Sequence, residues 1–371
     1  MLQILELFGG IGSLCVTDKT LLMTEKGFEK ITNLTTADKI LNYENRYTKV
    51  SGVVSQGMKE VWEIKSMADY RIKTTENHKF YSKKMFRVWN NEKRAYERKF
   101  ENAKWIPVDE LTREHYLSIP INNESKLPDW NGAIYTRGKT KYVKKTLDFS
   151  NDKFWYFCGR FLGDGWVNKR KDRNDGWSRT IICCPKNGDE DFEKKIEGLF
   201  HYVKVEERTV YKYQFSNKEL TEFLALFKQG AKNKELPGFI FDLPVGHLKH
   251  FLHGYFDSDG SYKDGYQKAS SISKKLIYGI GQCVAKVYHR PYAIYKSVRP
   301  KTHLIEGRLV NQNDVYQITF KKQTGKQDKA FYEDGKIWFP VREVHNTGSE
   351  EEFYSVDVEG GFTCLEGTQS N

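Results

Sequence analysis

The spacing of apolar and polar positions changes twice along the chain. From residue 15 to about residue 123 short runs alternate, as in Val61-Trp62-Glu63-Ile64, and are broken at Lys26-Gly27 and Asn45-Arg46. A period of two predicts strands with one buried face. From about residue 124 the period lengthens, and helices are predicted over 154–162, 191–201, 219–227, 245–256 and 273–288, separated by basic, aromatic, strand-like stretches. After about residue 331 short strand patterns return at 337–344 and 353–358. Residues 1–14 read as an apolar strand running into a glycine turn. The two ends resemble each other more than the middle. The expected architecture is therefore multidomain, an all-β domain (15–123 and 332–371) split by an α/β insertion at 124–331. A length of 371 residues accommodates that division.

Charge singles out the insertion. Residues 124–331 carry 38 Lys and Arg against 24 Asp and Glu, whereas the remainder carries 22 against 25. The whole excess behind the net charge of +11 is thus central. A basic surface attracts a phosphate backbone and releases counterions on binding, so double-stranded DNA is the expected partner of that segment. No apolar run approaches 18 residues and the first residues lack a secretory pattern, which implies a soluble, cytoplasmic protein. The six cysteines show no CxxC spacing, which argues against a zinc site or a disulfide framework.

Within the insertion one pattern occurs twice. Phe157-Cys158-Gly159-Arg160-Phe161-Leu162-Gly163-Asp164-Gly165 and Leu252-His253-Gly254-Tyr255-Phe256-Asp257-Ser258-Asp259-Gly260 are both apolar helices ending in Asp-Gly. Small residues at i, i+4 (Gly159 and Gly163, then Gly254 and Ser258) let two helix backbones approach closely, while Gly165 and Gly260 are expected to end the helices in the left-handed conformation. Packed side by side, such helices bring Asp164 and Asp259 together at their C-terminal ends. Negative partial charge gathers there, so two carboxylates call for a cation. Both segments resemble the LAGLIDADG motif, although Arg160 and Leu162 depart from its consensus. The resemblance implies a homing endonuclease of two pseudo-symmetric repeats, with Asp164 and Asp259 as catalytic, metal-binding residues and Mg2+ as cofactor. It also implies a monomer that cuts the uninterrupted allele of its carrier gene. The basic, aromatic stretches 166–177 and 292–301 are the candidate DNA-reading ribbons.

A second set of residues lies outside the insertion. A cysteine can attack the carbonyl of its preceding peptide bond, turning Leu14–Cys15 into a thioester. The shift is uphill and needs neighbours that hold the oxygen and manage the proton. Thr75 and His78, in Ile72-Lys73-Thr74-Thr75-Glu76-Asn77-His78, have a Thr-x-x-His spacing similar to that of inteins. The segments 15–27 and 105–120 likewise resemble intein blocks, which implies a Hint-type splicing domain. Phe353-Tyr354-Ser355-Val356-Asp357-Val358-Glu359 resembles the last intein block, and Asn371 would cyclise to cut its own C-terminal bond. Ser355 stands where a catalytic Asp is frequent, Ser370 replaces the usual penultimate His, and no His occurs between Val358 and Phe362. Val344-His345-Asn346 offers another terminus, but it precedes the block-like strand.

Residues Ile4 to Ser13, with Gly9, Gly10 and Gly12, are similar to the first motif of cytosine-5 DNA methyltransferases, a strand leading into a glycine turn. The resemblance implies that 1–14 is the flank of such a host, with the splicing reaction joining host flanks in cis. Competing expectations are a methyltransferase fragment with a decayed insert, a free-standing homing endonuclease, and a Hint-type domain that cleaves without joining.

Overall fold

The computed structural model describes residues 15–42, 44–67, 71–137, 139–169, 178–187, 191–305, 307–322, 329–358, 363–365 and 368–370. It forms two compact units. The first comprises Met1–Asn123, Tyr288–Lys296 and Phe320–Asn371; the second comprises Glu124–Val287 and Ser297–Thr319.

The first unit is built on strands, as the alternating pattern requires. Its backbone is an antiparallel pair of two long strands, Tyr47–Ser66 and Lys336–Val358. The later strand is continuous where the sequence suggested two short ones. Its register shifts between Val341 and Glu343, Asn346 and Glu350, Phe353 and Tyr354, and Asp357 and Val358. Each irregularity re-aims the following side chains and breaks the simple alternation, and that is why the strand reads as separate pieces. Val344, His345 and Asn346 lie inside this ladder. Around the pair Leu22, Ile40, Ile64, Phe80, Leu117 and Val341 form a closed apolar core.

The second unit contains α1 (Asp152–Asp164), α2 (Phe192–Ile196), α3 (Lys218–Leu224), α4 (Gly238–Asp242), α5 (Val245–Asp259) and most of α6 (Lys274–Tyr288). Asn151 caps α1, its side chain accepting from the Lys153 amide at 2.9 Å. Each long helix runs straight into a strand. After α1 a sheet forms in the order Gly165–Lys169, Ser178–Pro185, Val210–Phe215, Val203–Glu206. After α5 the strands Gly260–Lys263, Tyr266–Ser271 and Val315–Lys321 stand in the matching succession. This repetition is the structural counterpart of the doubled sequence pattern.

The two long helices touch backbone to backbone. A methyl group on Gly159 would overlap the Phe251 carbonyl oxygen, and one on Gly254 would overlap that of Tyr156. The contacts are reciprocal, as a local twofold demands. The terminal glycines act differently from expectation. Gly165 (φ −105°) and Gly260 (φ −94°) are extended, not left-handed, because each opens a strand without an intervening turn. Glycine is required there by space: a side chain would strike the carbonyls of Phe161 and Phe256.

We expect Gly254→Ala to lower stability by about 3 kcal/mol or more, because the obstructing atom is backbone and cannot rotate away. Gly246 lies in the same helix with open space around its Cα, so Gly246→Ala should be neutral or stabilising by up to about 1 kcal/mol. Chemical denaturation of the two variants measures the contrast.

Candidate functional site

The crossing of α1 and α5 sets the geometry of the first candidate site. A Cβ built on Gly163 would lie 3.3 Å from Asp259 Cγ, so the Asp259 carboxylate sits beside the last turn of α1, next to Asp164. Asp259 is open to solvent at its edge; desolvation by the surrounding turns and the nearby Asp164 charge push its pKa up to about 6, against the opposing pull of Lys234 and Arg160. Arg160 is fully buried, with Nη2 3.8 Å from Asp164 Oδ2 and 3.3 Å from the Cys184 sulfur. The residue that departs from the motif consensus thus becomes a fixed cation beneath one carboxylate.

Lys234 is the functional candidate that the sequence did not single out. Its ammonium donates to the carbonyls of Leu162 and Gly163 at 2.6 and 2.7 Å, which are free acceptors at the C-terminal end of α1. Burial lowers its pKa, while Asp259 and Asp164 pull it back up. Ser273 Oγ, just ahead of α6, donates to the Lys234 carbonyl at 2.6 Å and fixes the loop that carries it. In the sequence it stands in the run Asn233–Phe241, ahead of the second Asp-Gly helix, with nothing to set it apart from the other lysines.

Among the described residues no group of three or more His, Cys, Asp or Glu converges on one point. Two carboxylates with helix-end carbonyls nearby fit a hard divalent cation that completes its shell with water and substrate phosphate oxygens. The raised Asp259 pKa gives the physical ground: desolvation first and the Asp164 charge second disfavour the ionised carboxylate, and a bound cation would offset both. Of the expected DNA-reading stretches, 170–177 lies outside the described residues.

The second candidate site lies in the first unit. Val16 pairs with Thr74 on one side and with Tyr354 on the other. Carrying both antiparallel registers one residue further sets Cys15 opposite Thr75 and Ser355. Cys15 is buried against Val61 and Phe353. The Thr75 hydroxyl donates to Asn77 Oδ1 at 3.1 Å, and the His78 amide donates to the Thr75 carbonyl at 3.2 Å, closing a tight turn. Gln56 Nε2 donates to Ser355 Oγ at 2.9 Å. Ser370 pairs with Phe80, two residues beyond His78. Segments near both ends of the sequence therefore flank the stretch 75–80. Leu14 and Asn371, and the whole glycine turn at 1–14, lie outside the described residues.

His78 is the anomaly of this unit. Its ring is fully buried against Phe80, with centroids 4.8 Å apart, and neither nitrogen has a hydrogen-bond partner among the described residues. Burial pushes its pKa down to about 3. The imidazole is neutral at physiological pH, with a donor and an acceptor both waiting for use.

No family profile matches the chain. Curated proteins similar to it include the reverse gyrase of Methanocaldococcus jannaschii, 27% identical over 204 residues, covering 54% of this chain and 11% of that protein. The ATP-dependent DNA helicase Hel308 of Thermococcus kodakarensis is 22% identical over an alignment of 409 positions, covering 94% of this chain and 35% of the helicase. A probable translation initiation factor IF-2 of the same organism is 30% identical over 162 residues, covering 38% of this chain and 13% of the factor. The chain thus spans between about a tenth and a third of the length of these relatives. Among solved structures, the homing endonuclease I-DmoI in complex with DNA and Ca is similar over 46% of this chain and 83% of that one, with a TM-score of 0.32 and 16% identity. No described helix is long and apolar enough to cross a membrane.

The His78 pKa carries a sign that can be checked. The folded value, about 3, lies below the ordinary 6.5, so between these values the unfolded chain binds the extra proton. Stability from this group is intact above pH 6.5 and declines as pH falls toward 3. Melting of the protein followed from pH 7 to pH 4 should show that decline, and His78→Gln should flatten it.

Proposed function

We propose that the chain is an intein with an embedded LAGLIDADG-type homing endonuclease, the first unit splicing protein and the second cutting DNA. The single observation that supports the splicing half is the convergence on residues 74–80: Val16, next to Cys15, pairs with Thr74, and Ser370 pairs with Phe80, two residues beyond His78. The similarities support it from another side. Relatives named for three different activities each match this chain over a minor part of their own length. What they share with it is therefore not those activities, and a transposable insert accounts for the pattern.

In the splicing reaction the Cys15 sulfur attacks the Leu14 carbonyl carbon, the C–N bond breaks, and the Cys15 nitrogen takes up a proton. Neutral His78 accepts the thiol proton and passes it to that nitrogen, while the Thr75 hydroxyl steadies the carbonyl oxygen. Burial pushes the His78 pKa down to about 3, so the imidazole rests neutral before the reaction. A hydroxyl or thiol at the head of the following flank then takes the acyl group from the Cys15 sulfur, and the Asn371 side-chain nitrogen attacks its own main-chain carbonyl, breaking the peptide bond to that flank. Ser355 replaces the frequent Asp, so its hydroxyl, oriented by Gln56, is the group left to polarise the later steps. The 1–14 segment belongs, on this reading, to a cytosine-5 DNA methyltransferase host.

In the second unit Asp164 and Asp259 hold the divalent cation, which when bound supplies Lewis-acid stabilisation of the phosphodiester and of an attacking water. Lys234, tethered to the end of α1, places positive charge next to the substrate phosphates. Arg160 sets its guanidinium 3.8 Å from the Asp164 carboxylate. Trp166, at the start of the first sheet and exposed, contributes to the surface that meets DNA.

Two tests separate the halves. Incubation with a small thiol should release the 14-residue leader; Cys15→Ala should abolish release, and His78→Ala should slow it by about 10²-fold or more. Leader release from the Ala variant at the wild-type rate rejects the nucleophile assignment. For the nuclease, purified protein with Mg2+ is offered a plasmid bearing the uninterrupted methyltransferase junction and another with the insert in place. Cutting of the first alone is expected. Asp164→Asn and Asp259→Asn should end cutting but not DNA binding or leader release, and Lys234→Met should slow cutting by about 10²-fold. Equal cutting of both plasmids overturns the homing reading.

A further inference from the structure

The local twofold that relates α1 and α5 matches Arg160 of the first helix with Tyr255 of the second. A methyl group on Gly254 would lie 2.9 Å from the Arg160 amide nitrogen, and one on Gly159 would lie 2.7 Å from that of Tyr255. Each residue stands four positions ahead of its aspartate, one helical turn beneath it on the same face. Both side chains are fully buried. The doubled pattern therefore places a guanidinium under Asp164 and a phenol under Asp259.

The two acids differ accordingly. Asp164 is half-buried, with its Oδ2 3.8 Å from Arg160 Nη2. The same guanidinium also meets the Cys184 sulfur at 3.3 Å and the Phe192 ring at 5.4 Å, which hold it in place. A guanidinium keeps its proton at every working pH, and one sealed from water is poorly screened. Asp164 thus carries a permanent counter-charge. Asp259 is exposed and makes no ion pair or hydrogen bond among the described residues. The Tyr255 hydroxyl beneath it likewise finds no partner among them. Lys234 interacts with both acids and so does not set them apart. A divalent cation approaching Asp164 meets a fixed positive charge one turn below; at Asp259 it meets a phenol.

We propose that the paired-acid centre is unequal: Asp259 chiefly holds the divalent cation, and Arg160 is a positioning residue that reduces the share of Asp164. The inference rests on the metal-dependent reading of this centre and adds which acid dominates it. Attraction of the metal to Asp164 is partly cancelled by the guanidinium, since both cations compete for one carboxylate. Asp259 has no such competitor on its own helix. Removing the Arg160 charge should return Asp164 to the metal and make the two acids alike, as the sequence repeat alone would suggest.

The test uses the full chain with Mn2+ as the probe, the free ion being followed by electron paramagnetic resonance. Cutting cannot separate the acids, because loss of either is expected to end it. Asp259→Asn should weaken Mn2+ binding by about 10-fold or more, and Asp164→Asn by less than about 3-fold. In an Arg160→Met background, similar in volume but uncharged, Asp164→Asn should cost about 10-fold instead. That coupling is the signature of competition for one carboxylate. A cost that stays small there overturns the role given to Arg160. Tyr255→Phe should leave Mn2+ affinity unchanged, since its hydroxyl takes no part. If thermal melting shows that Arg160→Met does not fold, the contrast between the two Asn variants still decides. Equal losses in those variants, or a larger loss at Asp164, overturn the proposal and leave the nuclease reading standing. A wild-type chain without saturable Mn2+ binding, with or without the uninterrupted junction duplex, rejects the metal reading itself.

Discussion

The backbone contact between α1 and α5 governs the second unit. With glycine at 159, 163 and 254, the helices approach until carbonyl oxygens of one face the Cα atoms of the other. Any side chain on that stripe would separate them, and separation would move apart the two sheets that begin at the helix ends. Closeness also has an electrostatic consequence. Two helix C-termini, each with unsatisfied carbonyls and each followed by an aspartate, concentrate negative charge at one point. The protein answers with cations of two kinds. Arg160 is buried and permanent, and Lys234 is tied to the orphan carbonyls of α1. Even so, Asp259 keeps a pKa near 6, so a demand for positive charge remains.

In the first unit the comparable constraint is register. Val16–Thr17 is only two residues long, but it is held on both sides, by Arg71–Thr74 and by Lys336–Val358. A slip of one residue would turn Cys15 out of its pocket with Val61 and Phe353 and present its neighbour instead. The shift between Phe353 and Tyr354 in the long strand falls beside this junction, so the irregularity lies where side chains must be aimed and not merely packed. Packing of Val16, Ile64, Ile72 and Val356 in one core fixes the level at which Val16 meets Thr74.

Much of this could be read from residue order because periodicity and spacing are local properties. The long helices, the doubled Asp-Gly pattern and the strand-rich ends announce themselves within windows of about ten residues. Tertiary events did not. Predicted helix 191–201 shortens to Phe192–Ile196, since the chain must turn early into Val203–Glu206. Gly165 and Gly260 look like left-handed caps in sequence, and only the strands that start there show why the backbone is extended. Lys234 was invisible because its partners are carbonyls some 70 residues away, and carbonyls carry no sequence signature.

The fold obeys ordinary rules over most of its length and breaks them in few places. It buries an imidazole whose nitrogens find no partner among the described residues, and it sets two acids where helices already end in negative charge. Each arrangement costs stability and none is required by the surrounding packing. Random drift would disperse such violations and leave them chemically unrelated. On the proposed reading each would have a complement: a strained amide for the neutral imidazole and a divalent cation for the acids. Violations that share the property of being relieved by a specific ligand are what a fold retains when function, and not stability, decides the local sequence.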